Sequence, residues 1–489
     1  MPNPLHLTIL HTNDLHGRIE RLPRIATIIR EQCAQAQAAG RHVLVVDAGD
    51  SEDETLLESA VTRGVALMRL LSAVGYDVAA LGNAVVIRYG PDALAEEAAV
   101  ATFPILAANF RWPDGRLVAG ATDRLILELD GFRLGLTGAT ADFTEPHFGD
   151  VYRVFGLAVQ DQFEAVAEQV ARLRAEGADA VGIISHMGYG EGAYRGDLKL
   201  VPQTPGLAFI VGGHSHTLLE TPHVVHGTPI VQAGDYGRFV GRLDLTIDPA
   251  TGQATDSRGV LFPVTDDIAP APDVVAAIEA MRADVAQILG EPLGSLAQPL
   301  DLADDRECGV GDWMADRLRA FMGAQIGLIS TGLLRRSLPA GVVTRRMRYE
   351  TCPTGANPCR AELTGADILA MLEHALAPQY YLDAPPSFRG RPRGILQVSG
   401  LTLDVEASGA PGGRIRRAVV SGEALDPERR YSVAATDAEL SSFGFARIIG
   451  VDDADVEIDA SVIAGDLLDA DLRDHSPVRV HVGGRIRIL

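Results

Sequence analysis

Five short apolar runs each lead into a residue able to bind a divalent metal, and this repetition constrains the fold more than any other feature. Leu7-Thr8-Ile9-Leu10 leads to Asp14-Leu15-His16, and Val43-Leu44-Val45-Val46 to Asp47-Ala48-Gly49-Asp50. Val78-Ala79-Ala80-Leu81 leads to Gly82-Asn83, Val181-Gly182-Ile183-Ile184 to Ser185-His186, and Phe209-Ile210-Val211 to Gly212-Gly213-His214-Ser215-His216. Short runs rich in β-branched residues and bounded by glycine read as buried strands. Ligands gather at the carboxyl ends of such strands. Seven oxygen and nitrogen donors therefore converge on one sheet edge, enough for two ions sharing a carboxylate.

With 489 residues, the chain exceeds what one compact core usually covers, so two domains are expected. Strands alternate with helical stretches from residue 1 to 265, as in an α/β layered domain. Glu20 to Gln37 and Gln160 to Glu176 have the period of amphipathic helices. Thr265 to Pro272, rich in Asp and Pro, reads as a linker, and Asp273 to Leu289 as a helix bridging the halves, so that 266–290 joins the two domains. Residues 291–489 form a second, α+β domain, with a hairpin turn at Ala410-Pro411-Gly412-Gly413.

A formal net charge of -22 argues against binding nucleic-acid polymers or acidic membranes, though not against a small anion at a metal site. No uncharged apolar run is long enough to span a bilayer. The Met-Pro-Asn-Pro start lacks a signal-peptide pattern, so a cytoplasmic location is expected. Of the cysteines, only Cys352 and Cys359 lie close in sequence. A small disulfide there competes with free thiols, the reading that a cytoplasmic location favours. The composition says nothing about oligomeric state.

Carboxylate, imidazole and amide donors suit hard and borderline divalent ions: Mn, Zn, Fe, Co or Ni. Asp14, His16 and His216 suit one ion and Asn83, His186 and His214 a second, with Asp50 as the bridge. Each residue alone has a plainer reading. Asp14 and Asp50 are turn or cap residues, Asn83 is a turn residue after glycine, and His186 is a core histidine. Together those readings need five independent explanations for five strand ends.

These motifs resemble the 5'-nucleotidase and 2',3'-cyclic phosphodiesterase family of calcineurin-like metallophosphoesterases. Thr12-Asn13-Asp14-Leu15-His16-Gly17 matches the opening motif, and the remaining four strand ends match the next four in order. Asn109, Gln232-Ala233-Gly234, Leu363-Thr364-Gly365 and Gln397-Val398-Ser399-Gly400-Leu401 extend the likeness along nearly the whole chain. The resemblance implies a four-layer metallophosphoesterase β-sandwich flanked by helices, followed by a smaller substrate-binding α+β domain. It also implies hydrolysis of small phosphorylated substrates, nucleotides or cyclic nucleotides among them, by hydroxide held on a pair of divalent ions.

The departures from the family pattern are specific. Where the family carries Asn-His-Glu-Phe-Asp, this chain has Asn83-Ala84-Val85-Val86-Ile87, followed by Arg88. The His-Asp dyad that assists the leaving group is missing, a loss that commonly costs about two to three orders of magnitude in rate. Arg88 is a candidate replacement for the lost positive charge, against the plainer reading of an exposed arginine. In the second domain Ser330-Thr331-Gly332-Leu333-Leu334-Arg335 keeps only the arginine of the family's phosphate-side motif, and Pro353-Thr354 lacks the family phenylalanine. Arg335 is a candidate for gripping phosphate with its planar fork. Phe445 is a candidate aromatic wall, with a core role as the alternative. Ser51-Glu52-Asp53-Glu54 adds acids beside Asp50 and reads as a solvated loop. Two functions follow: a phosphoesterase with an altered transition-state site, or a non-catalytic protein binding metal and anions on the same fold.

Overall fold

The computed structural model describes residues 4–53, 56–141, 152, 155–190, 195–377, 394–440, 445, 449–450, 455–459 and 461–489. Contacts divide the described chain into two compact units, residues 4–141 with Phe155–Val285, and Ala286–Leu489.

In the first unit the apolar runs become strands, here β1 (Leu5–Thr12), β2 (His42–Asp47), β3 (Val78–Ala80), β4 (Ala180–His186) and β5 (Phe209–Val211). β1, β2 and β3 run parallel in a seven-stranded sheet ordered Ala254–Pro263, Phe239–Ile247, β1, β2, β3, Ile105–Leu106, Ala121–Thr122. β4 and β5 run parallel in a six-stranded sheet ordered His223–Val225, Thr228–Val231, β5, β4, Phe132–Thr140, Arg124–Leu129. Alternate side chains of each strand face opposite sides of the sheet. Leu7, Ile9, Leu44, Val46 and Val78 from one sheet therefore pack against Leu134, Leu136, Ala180, Ile184 and Phe209 from the other.

The outward residues Val181 and Ile183 meet Phe163, Val166 and Val170 of helix Gln162–Ala175. Helix Leu22–Ala38 covers the outer face of the other sheet beside β1 and β2. The result is the four-layer helix–sheet–sheet–helix arrangement expected from the sequence. Gly182 is a packing requirement of it, since a Cβ there would lie 2.1 Å from the Phe209 ring.

Pro272–Gly290 is a helix, with the expected Asp273 to Leu289 stretch inside it. The second unit is α+β, as expected. Its five-stranded sheet is ordered Leu396–Ser399, Ile326–Ser330, Arg430–Thr436, Pro358–Thr364, Val456–Ile458. Leu401–Val405 and Ile415–Val420 pair antiparallel on either side of the anticipated turn. Cys352 and Cys359 are both buried and neither is in a disulfide, in line with the free-thiol reading. Among the described residues no helix is long and apolar enough to cross a membrane.

Candidate metal centre

The carboxyl ends of β1 and β2 continue side by side past the strands. Ala48 N–H donates to Thr12 O (2.8 Å), Asp14 N–H to Gly49 O (2.9 Å) and His16 N–H to Asp50 O (3.0 Å). Asp47 shapes the second of these loops from within. It accepts from Thr12 Oγ1, Gly49 N–H and Ser51 Oγ, so its oxygens are committed to the backbone turn. Burial pushes its carboxyl up to about 6.

The turns that present the side chains are conformationally costly. Asp14, His16, Asp50, His214 and His216 all have left-handed backbone angles, with φ between 44° and 75°. Non-glycine residues rarely adopt this region, and its cost of about 1–3 kcal/mol each persists only where surroundings enforce it. The enforcing contacts are close. A Cβ at Gly213 would lie 2.5 Å from Ala48 O and 2.9 Å from His186 Nδ1, so only glycine lets the β5 loop approach the β2 and β4 ends.

Two clusters result. In the first, Asp14, His16 and His216 bring one ligand atom each within 4.8 Å of one another. His16 Nε2 and His216 Nε2 are 3.1 Å apart, and His216 Nε2 lies 3.4 Å from Asp14 Oδ1. Asp14 Oδ2 accepts from Asn13 Nδ2 and from His214 N–H, whereas the buried Oδ1 has no hydrogen-bond partner among the described residues. In the second, Asp50, His186 and His214 meet the same criterion. His186 Nδ1 lies 2.6 Å from Ala48 O, which assigns its proton to that nitrogen. Nε2 then faces the cluster, 3.2 Å from Asp50 Oδ2. Asn83 Oδ1 lies 2.8 Å from His214 Nδ1, which brings the seventh sequence candidate to the same cluster. Asn83 opens helix Asn83–Tyr89, and Ala84 N–H from its first turn donates to Asp50 Oδ1 (2.9 Å).

The charges are those of a site that fits cations. Burial lowers the His186 imidazolium, but Asp50 and Asp14 outweigh burial and raise its pKa to about 9. Burial, and then His186, lower His214 to about 4. Burial pulls Asp50 upward, but His186 and His16 outweigh it and hold the carboxyl below its usual range. Orphaned acceptors on buried groups carry a large desolvation cost unless a partner arrives. Asp14 Oδ1 is such an atom among the described residues, and His186 Nε2 becomes one once its imidazolium gives up a proton; a divalent ion would satisfy both.

Two readings from sequence need correction. The acidic stretch after Asp50 is not solvated at Ser51 and Glu52. Both are buried, and burial pushes the Glu52 carboxyl up to about 8. Glu52 and Glu97 line a cavity of about 10 Å³ beside Asp50, walled by Met68, Leu71 and Val85. Arg88 is not an exposed arginine: it is 5% exposed, and among the described residues its buried Nε and Nη1 have no hydrogen-bond partner. It lies four residues, one helical turn, beyond Ala84 and so shares that residue's face. Phe445 has no exposed face. It packs in the core of the second unit, edge-on to the His374 ring at 6.0 Å, so the wall role is set aside for the core role. Arg335 is exposed, and Thr354 is buried. Ser441 to Gly444 lie outside the described residues.

Sequence reasoning also missed the loop after Thr228–Val231. Asn13 Nδ2 donates to Gly234 O, and Ala233 N–H to Asn13 Oδ1. Gln232 accepts from Thr217 N–H and Ser215 Oγ and donates to Gly213 O. Asp235 and Tyr236 lie against the first cluster. The motif Gln232-Ala233-Gly234 was the available signal, but its own side chains bind no candidate ion.

Comparison with known proteins agrees with this geometry. Residues 7–218 match the calcineurin-like phosphoesterase model and residues 289–443 the 5'-nucleotidase C-terminal domain model. The metallophosphoesterase YunD of Bacillus subtilis is 26% identical over 433 residues, covering 88% of this chain and 92% of its own. A 5'-nucleotidase of Diplobatis ommata is 24% identical over 467 residues, covering 84% of this chain and 76% of its own. The crystal structure of a 5'-nucleotidase precursor from Thermus thermophilus is 27% identical with a TM-score of 0.56, covering 99% of both chains.

Proposed function

Because this chain belongs to the calcineurin-like metallophosphoesterases that carry a 5'-nucleotidase C-terminal domain, a family of metal-dependent phosphoric ester hydrolases, we propose that it hydrolyses small phosphoesters at a centre of two divalent ions. Asp14, His16 and His216 would hold one ion and Asn83, His186 and His214 the other, with Asp50 available to both. The observation that carries this reading is the pair of clusters, Asp14-His16-His216 and Asp50-His186-His214, each of which brings its ligand atoms within 4.8 Å of one another. Such ions, when bound, supply Lewis acidity and an activated water.

The chain's own residues do the rest. Ala84 N–H orients Asp50, and Ala48 O fixes the His186 tautomer. Arg88, one helical turn beyond Ala84, is the candidate replacement for the lost positive charge on the phosphate. Arg335, exposed on the second unit, is the candidate there for binding an anionic oxygen with its planar fork. Nucleotides are candidate substrates, by similarity to the 5'-nucleotidases named above. The four cysteines, none of them in a disulfide, support a reducing, cytoplasmic setting.

Ala84 and Ile87 favour a second reading, in which the same centre binds metal and anions without turnover. The deciding experiment assays Mn-loaded protein against p-nitrophenyl phosphate, bis(p-nitrophenyl) phosphate, AMP and 2',3'-cyclic AMP, beside Asp50→Asn. Hydrolysis that Asp50→Asn abolishes supports the enzyme. Equal rates in the two proteins, with phosphate still bound by the wild type, support the non-catalytic reading.

A further inference from the structure

The loop Asp235–Tyr236 touches all three residues of the first cluster, each by a different contact. Tyr236 N–H donates to the backbone oxygen of Asp14 at 2.7 Å. The Tyr236 ring packs against both imidazoles, with centroids 5.6 Å from His16 and 5.7 Å from His216. Asp235 Oδ2 lies 3.2 Å from His216 Nδ1, on the opposite side of that ring from Asp14. The other Asp235 oxygen is held by an ion pair with Arg238. Tyr236 sustains this arrangement with φ 51°, a left-handed angle that a tyrosine adopts only under constraint.

The second cluster is supported differently. There His186 Nδ1 faces a backbone carbonyl, Ala48 O, and the imidazole is fully buried. His16 and His216 are 20% and 32% exposed, so the strand framework encloses their rings less completely. A carboxylate behind a ligating histidine fixes its tautomer and ring orientation and raises its basicity.

We propose that Asp235, with the Tyr236 ring beside it, is the positioning element of the first ion site. It holds His216 with Nδ1–H toward the carboxylate and Nε2 toward the ion, and so sets the affinity of that ion independently of the other. This rests on the two-ion reading above, and it assigns a role to a residue that is neither a ligand nor in contact with substrate.

The test titrates metal-stripped full-length protein with Mn²⁺ at pH 7.5, following binding by calorimetry and by electron paramagnetic resonance. The wild type binds two ions. Asp235→Asn weakens one of them by about 10- to 100-fold and leaves the other within about twofold. At one equivalent this variant shows a single uncoupled Mn²⁺, and its ion-free melting temperature matches that of the wild type. Asp235→Glu, which keeps the carboxylate, recovers most of the affinity. Should Asp235→Asn not fold, Asp235→Ser serves for the same comparison. Equal weakening of both ions, or of neither, overturns the proposal while leaving the two-ion reading intact. Fewer than two ions in the wild type overturns that reading first, and this inference with it.

Discussion

His186 Nε2 lies 3.2 Å from Asp50 Oδ2, and both side chains are sealed from solvent. In the ion-free protein this contact is an imidazolium–carboxylate pair, because Asp50 and Asp14 raise His186 to about 9 against the pull of burial. A metal requires the neutral imidazole. Loading must therefore displace a proton that is present throughout the neutral range. Apparent affinity for the second ion should rise about tenfold per pH unit up to about pH 9. Calorimetry at pH 7.5 in buffers of different ionisation enthalpy should register about one proton released per chain. Binding independent of pH between 6 and 8.5 would contradict this assignment.

The Asp50–Ala84 contact bears on the rate. Ala84 holds the bridging carboxylate through its backbone N–H and contributes no side-chain donor. Ala84→His keeps that N–H and adds an imidazole where the family carries one. Turnover of bis(p-nitrophenyl) phosphate should rise at least tenfold, though by less than the 10²–10³ a fully supported donor supplies, since Ile87 offers no acceptor to orient the new ring. A rate unchanged by the substitution, in protein that still binds two ions, would mean that the leaving-group side of the site is built elsewhere.

Arg88 is buried, and among the described residues two of its guanidinium nitrogens have no hydrogen-bond partner, an arrangement that is costly as it stands. Removing an unpaired buried charge relieves that cost. Arg88→Met should stabilise the ion-free protein by about 1 kcal/mol in urea denaturation while weakening inorganic phosphate as an inhibitor by about tenfold. Loss of stability together with unchanged phosphate affinity would make Arg88 a structural residue.

Glu97 gives a prediction of definite sign. Burial, and then Glu52 and Glu96, raise its carboxyl well above the ordinary value. It is neutral in the fold and ionised in the unfolded chain above about pH 4.5, so its contribution to stability is present at low pH and is lost as pH rises toward the folded value. Glu97→Gln cannot titrate. The variant should match the wild type near pH 5 and exceed it by more than about 1 kcal/mol at pH 8, measured by urea denaturation of metal-stripped protein. A difference that does not change with pH would show Glu97 to be ionised in the fold.

The strands that carry the candidate site were legible because β-branched runs bounded by glycine have few alternatives. Val181-Gly182-Ile183-Ile184 lies within β4, and Phe209-Ile210-Val211 is β5 itself. Burial of polar residues was not legible. Glu52 follows Asp50 and Ser51 in a run of acids, and hydropathy alone assigns such a run to solvent. Met68, Leu71 and Val85, distant in sequence, enclose it instead. Arg88 was misread for the same reason. A one-dimensional pattern records which face of a helix a residue occupies, not what closes over that face. The Asp235–His216 contact joins two loops whose approach depends on the order of the second sheet, which local periodicity does not encode.

The central claim is that two ions occupy this centre and share Asp50. Anomalous diffraction at the Mn edge, from crystals of Mn-loaded protein, tests it most directly. The account predicts two peaks, one ligated by Asp14, His16 and His216 and one by Asn83, His186 and His214, with an Asp50 oxygen reaching both. A single peak, or two peaks with Asp50 bound to only one, would contradict it.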